Sequence, residues 1–64
     1  MDKQILRLPA VIDLVGLSRS SIYLAISNET FPRPIKLGTR ARGWLRAEIE
    51  EWLGRRIELS RSKV

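Results

Sequence analysis

Gly16-Leu17-Ser18-Arg19-Ser20-Ser21-Ile22-Tyr23 holds a helix stop and a helix start side by side. Glycine enters the left-handed backbone region without strain, so Gly16 ends one helix. Ser18 begins the next, because a serine hydroxyl accepts a hydrogen bond from a backbone N–H that the first helical turn leaves unpaired. The two events fall within about three residues, the spacing of a helix-turn-helix. In the second helix Ile22, Ala25 and Ile26 recur at i, i+3 and i+4 and must face a core. Ser20, Leu24 and Ser27 face away, Ser21 and Tyr23 lie on the flanks, and Arg19 sits near the start. Small hydroxyls, an arginine and a tyrosine at a helix N-terminus suit phosphate oxygens and base edges. An ordinary solvated face is the competing reading of these residues.

Charge distribution separates the two readings. From Leu14 to Arg46 there are six basic residues (Arg19, Arg33, Lys36, Arg40, Arg42 and Arg46) and one acid, Glu29, a balance of +5. The remainder carries six basic and six acidic residues and sums to zero. All the net charge lies in the segment that holds the second helix, as an electrostatic footprint on nucleic acid requires. A surface that only needs solubility usually mixes its signs.

Length and composition narrow the class. The 64 residues make one domain with a small core. With no Cys and no His, neither a disulfide nor a zinc site supports it, and the lack of Cys fits a reducing compartment. No cofactor or metal is expected. The missing His and Cys, with no acids in a catalytic pattern, argue against an enzyme. No apolar run approaches the roughly 20 residues of a membrane span, and Met1-Asp2-Lys3-Gln4 lacks a signal-peptide pattern. The expectation is a soluble cytoplasmic protein with no membrane partner.

In chain order, residues 1–7 read as a partly ordered lead-in, in which Leu6 and Leu8 pair with another strand or staple the first helix. That helix is expected from about Pro9 to Val15, since a proline at its start has no N–H to leave unpaired. Leu8, Val11, Ile12 and Val15 form its apolar stripe, Asp13 faces solvent, and Leu17 plugs the turn. Asn28-Glu29-Thr30 is turn chemistry. Phe31-Pro32-Arg33-Pro34 is extended, because each residue before a proline is pushed out of the α region, and Phe31 is a core residue. Ile35-Lys36-Leu37 and Ala41-Arg42-Gly43-Trp44 flank Gly38-Thr39-Arg40 as a β-hairpin. A tight loop at Thr39 and Arg40 pairs Leu37 with Arg42 and Ile35 with Trp44, and puts Ile35, Leu37 and Trp44 on one buried face. Other loop lengths are open, with Gly38 supplying an unusual dihedral. Lys36, Thr39, Arg40 and Arg42 collect near the hairpin tip, to follow a phosphate backbone or enter a minor groove, or simply to keep a hairpin edge soluble. Trp44 reads as core rather than as a stacking platform.

The last helix carries Ile49, Trp52, Leu53 and Ile57 on one apolar face. Glu48, Glu50 and Glu51 lie at its start and Arg55 and Arg56 toward its end, the order the helix dipole favours, and Glu51 with Arg55 is an i, i+4 pair. Leu45 or Arg46 is its N-cap, Gly54 inside it suggests close packing, and Trp52 covers the core. Residues 59–64 read as a frayed, flexible basic tail after an ordered core of about 5–58.

Helix, turn, helix, hairpin, helix is a winged helix-turn-helix plan, mainly α with a small β-hairpin. Leu6-Arg7-Leu8-Pro9, the Gly16–Tyr23 stretch, Phe31-Pro32-Arg33-Pro34-Ile35-Lys36-Leu37-Gly38, and Gly43-Trp44 through Glu48-Ile49-Glu50-Glu51-Trp52-Leu53 together resemble the AlpA family of phage-type regulators. The likeness runs from residue 5 to about 57. It implies a MerR-like or excisionase-like winged fold in a bacterial cytoplasm, with the helix after Ser18 in the major groove of double-stranded DNA and the hairpin as wing. It also implies a prophage or mobile-element setting and control of genes such as an integrase.

Carried onto this chain, the family pattern points to Ser18, Arg19, Ser20, Ser21 and Tyr23 for the recognition helix and to Lys36 and Arg40 for the wing. Arg33, Thr39 and Arg42 join them from the basic segment. Leu24 and Ala25 stand where such proteins often carry a basic residue, and Arg42 replaces a commonly small apolar one. Two other roles stay open: an excisionase-like factor that bends a recombination site, and a small protein-interaction module built on the Trp52 helix. A homodimer or a cooperative array on DNA is compatible with so small a domain.

Overall fold

The computed structural model describes residues 4–62. Strand β1 (Ile5–Leu6) leads into helix α1 (Leu8–Val15) and helix α2 (Arg19–Ser27); strands β2 (Ile35–Lys36) and β3 (Arg42–Leu45) follow, then helix α3 (Arg46–Arg61). The predicted caps are in place. Gly16 sits at φ 73° and donates its N–H to the Ile12 carbonyl, while the Ser18 hydroxyl accepts the Ser21 N–H at 3.1 Å. A serine cap of this kind is worth about 1 kcal/mol. Across this turn the chain changes direction by 93°, within the range of helix-turn-helix units. No single helix among the described residues is long and apolar enough to cross a membrane.

The three helices, β3 and the loop after α2 each supply one buried side chain to the core. Val11 from α1, Ile22 from α2, Phe31 from the following loop, Trp44 from β3 and Ile49 from α3 are all buried, with Leu6, Leu8, Ile12, Val15, Leu17, Ala25, Ile26 and Trp52 packed around them. The loop from Asn28 to Pro34 has no ladder of its own, and two indoles hold it instead. Trp44 Nε1 donates to the Pro32 carbonyl at 2.9 Å and Trp52 Nε1 to the Thr30 carbonyl at 2.6 Å, while Phe31 between them meets the Trp52 ring edge-on at 4.8 Å. Trp52 is therefore taken up by contacts within its own chain.

The sheet has the order β1-β3-β2 and is antiparallel throughout, with Ile5 opposite Leu45, Leu6 opposite Trp44, Ile35 opposite Gly43 and Lys36 opposite Arg42. Leu6 thus pairs with a strand, one of the two roles expected of it. The wing register differs by one residue from the expected one. Its loop is Gly38-Thr39-Arg40, closed by the Leu37 N–H to the Ala41 carbonyl at 2.7 Å, rather than Thr39-Arg40 alone. Because strand side chains alternate, a slip of one exchanges the faces. Trp44, Arg42, Lys36 and Leu6 share the inner face; Ile35 and Leu37 lie on the outer face and are exposed, not buried beside Trp44.

Further expectations are corrected in the backbone. Gly38 does not have a positive φ; besides Gly16, the left-handed residue among those described is Glu29, at φ 59°. It closes α2 in a Schellman motif, with the Glu29 N–H on Ile26 and the Thr30 N–H on Ala25. Helix α1 starts at Leu8, one residue before Pro9. Leu45 is the N-cap of α3 and has no side chain to offer, but the first helical N–H, that of Arg46, donates to the Gln4 carbonyl at 2.9 Å, so the lead-in strand does the work of a cap. Ile57 is exposed beyond the end of the packed face, and α3 continues through Arg61 where a frayed tail was expected from Leu59. Residues 1–3 of the lead-in and 63–64 of the tail lie outside the described residues.

Gly54 has nothing within 4 Å of the place where a Cβ would stand, so it is not a packing glycine. Gly54→Ala is expected to stabilise the protein by about 1 kcal/mol through helix propensity alone. The check is a urea titration followed by circular dichroism, and an unchanged midpoint would contradict it.

Candidate nucleic-acid interface

Helix α2 buries Ile22 and half-buries Ala25 and Ile26, which leaves its other side open. Arg19, Ser20, Ser21, Tyr23, Leu24 and Ser27 are all exposed there. Ser18 is at the same end but is already engaged: besides accepting the Ser21 N–H, its hydroxyl donates to Ser21 Oγ at 3.0 Å. The Arg19 guanidinium lies over the Tyr23 ring, 5.9 Å from its centroid, so the two largest polar groups of the helix are held near each other. Leu24, 63% exposed, is an apolar contact on the same side with nothing in the core to bury it.

The wing projects beside this helix. Lys36 and Arg42 are cross-strand partners, and two cations directly opposite one another repel in the absence of an anion. Thr39 and Arg40 are in the turn, and Arg33, exposed between two prolines, lies on the segment that feeds β2. One concavity brings the helix and the wing together: Tyr23 from α2 and Arg40 and Arg42 from the wing line it, with Leu8, Pro9 and the edge of Trp44 at its apolar side. Arg7, absent from the sequence-based set, lines it too. Ser18, Arg19, Ser20, Ser21, Arg33, Lys36 and Thr39 do not, and belong to the flanking surface. Arg7 was hidden because it precedes α1 in a stretch with balanced charge, and only the pairing of β1 with β3 carries it to the wing.

Charge pairing sharpens the contrast between the two sides of the molecule. Among the described residues the ion pairs are Arg46 with Glu50 at 3.0 Å and Arg55 with Glu51 at 3.8 Å, both on α3. Arg46 also reaches Gln4 Oε1 at 2.9 Å, so one of the six cations counted in the basic segment is spoken for. Glu48, Glu50, Glu51 and Glu58 all lie on α3. Helix α2 and the two wing strands contain no acid, and Glu29 follows just past the C-terminal end of α2.

Comparison with known proteins identifies the family of the chain. The family described as "Prophage CP4-57 regulatory protein (AlpA)" matches residues 4–57. The chain is 44% identical over 62 residues, covering 88% of its own length and 89% of the other's, to the "DNA-binding transcriptional activator AlpA" of Escherichia coli K12. It is 42% identical over 55 residues to the "Uncharacterized protein ORF88" of Enterobacteria phage P4, of which it spans 62%. The match takes in β1, both helices of the helix-turn-helix, the wing and most of α3, and the chain therefore belongs to the AlpA family of prophage regulatory proteins.

Proposed function

We propose that this chain is a sequence-specific DNA-binding regulator of transcription in a prophage or mobile element, acting without catalysis in the bacterial cytoplasm. The observation that carries the reading is the concavity in which Tyr23 of α2 meets Arg40 and Arg42 of the wing with no carboxylate in its lining. The relative named a DNA-binding transcriptional activator supports it. In this reading α2 enters the major groove, where Arg19 and Tyr23 meet base edges and Ser20 and Ser21 meet phosphates. Ser18 holds the helix end in shape. Lys36, Thr39, Arg40 and Arg42 hold the wing on the backbone or in the adjacent minor groove, and Arg33 adds attraction at longer range.

Selection from a randomised duplex library at near-physiological salt, followed by anisotropy titration, tests this. The expected result is a recovered motif bound at least about a thousandfold more tightly than scrambled DNA. Repeated half-sites in the motif would show two or more copies acting together. Binding without sequence preference, with strong bending of phased duplexes, would replace the regulator by an architectural factor. Within the recovered motif, Arg19→Ala is expected to cost about 1 to 3 kcal/mol and to relax preference at one base position. Equal affinity for the variant would remove Arg19 from base readout.

A further inference from the structure

We propose that Arg7, Arg40 and Arg42 together form a seat for one backbone phosphate at the joint between the recognition helix and the wing, with Arg7 as a phosphate-binding residue of the interface. The proposal rests on the DNA-binding reading above and adds a third arm to it, from the segment between β1 and α1. Arg7, Arg40, Arg42 and Tyr23 line one concavity, and no Asp or Glu lines it. None of the three arginines takes part in an ion pair among the described residues. Like charges gathered without a counter-charge repel, and the Lys36 and Arg42 pairing next to them adds to that cost. An anion in the concavity relieves it.

The ligand chemistry follows from the donors. A guanidinium offers a planar fork that matches two oxygens of a phosphate, and three such forks with a phenol hydroxyl suit a tetrahedral anion better than a flat carboxylate. The location fits a phosphate of the DNA backbone, because the concavity lies between the element that enters the major groove and the one that follows the strand beside it. Arg7 is also well held. Its backbone carbonyl accepts the first hydrogen bond of α1, from Val11 at 3.0 Å, and it stands next to Leu6, which pairs with Trp44. Its exposed side chain makes no capping hydrogen bond, so shortening it leaves the fold intact.

The test is the salt dependence of binding to a random-sequence duplex of about two helical turns, measured by anisotropy for the full chain and for Arg7→Ala, Arg7→Lys and Arg61→Ala. Arg61, on the last turn of α3, controls for the loss of any one positive charge. The expected result is that Arg7→Ala lowers the slope of log K against log salt by about one unit, that Arg7→Lys restores most of it, and that Arg61→Ala leaves it unchanged. Circular dichroism confirms that each variant is folded, and Arg40→Ala, at the exposed wing turn, gives the same slope change by a route that does not touch α1. An unchanged slope for Arg7→Ala in a protein that binds DNA overturns the seat and leaves the functional reading standing. Equal losses for Arg7→Ala and Arg61→Ala overturn it as well, since the effect would then be net charge alone. If the unsubstituted chain binds no duplex, the functional reading falls, and the seat with it.

Discussion

Trp44→Ala is expected to lower the stability of the protein by about 3 to 5 kcal/mol, a large share of the total. The indole is 1% exposed, lies at the centre of the five-residue core and donates to the Pro32 carbonyl. Removing a buried aromatic side chain costs about 3 to 5 kcal/mol, through lost burial and the cavity left behind. A domain of this length has only about 3 to 10 kcal/mol in total. Two losses compound, because the indole N–H is also one of the two tethers on the loop that carries Phe31. Trp44→Phe separates them: it keeps most of the apolar volume, gives up the hydrogen bond, and is expected to cost about 1 to 3 kcal/mol. Urea titration by circular dichroism gives both values. A stable, cooperatively folding Trp44→Ala protein would mean that Trp44 is not the centre of the core.

Gly43→Ala is the second large effect, and it acts through the sheet. Gly43 lies in the central strand, buried on the outer face, and a Cβ added there would collide with Ile5 Cγ2 and stand 3.1 Å from the Leu6 carbonyl oxygen and 3.2 Å from Leu37 Cδ1. Leu37 can swing aside, but Ile5 is β-branched and stiff, and the carbonyl belongs to the β1 backbone. Relief therefore has to come from opening β1 away from β3, and the expected cost is about 1 to 3 kcal/mol. The strain should spread to α3, whose first N–H is satisfied by Gln4 beside β1. A double-mutant cycle with Ile5→Ala, read from urea midpoints, is the check, since removing Ile5 Cγ2 should recover much of the loss. Additive costs would show that the clash with Ile5 is not the cause.

Both predictions bear on the proposed DNA binding because β3 joins the core to the candidate interface. Trp44 is fixed in the core, and Arg42, two residues earlier on the same face, is thereby fixed at the concavity beside Tyr23. β1, paired on the other edge, carries Arg7 to the same place. A variant that loosens the sheet should therefore weaken phosphate contacts from both Arg7 and Arg42, although neither residue has been changed.

What was legible in the sequence was whatever a few adjacent residues decide. Gly16 and Ser18 mark the turn because left-handed backbone and N-capping are properties of single residues. The i, i+3, i+4 spacing identifies the buried side of α2, and with it the exposed set from Arg19 to Tyr23. The clustering of cations between Leu14 and Arg46 points to an anionic partner. Only the tertiary structure decided the wing register, since both loop lengths are compatible with Gly38-Thr39-Arg40 and the choice shows only in the pairing of Ile35 with Gly43 and Lys36 with Arg42. The pairing of β1 with β3 decided how α3 is capped and that Arg7 lines the same concavity as Arg40 and Arg42. Pairing partners 38 to 40 residues apart leave no mark in either segment alone, because the hydrogen bonds and packing that select them exist only once both strands are in place.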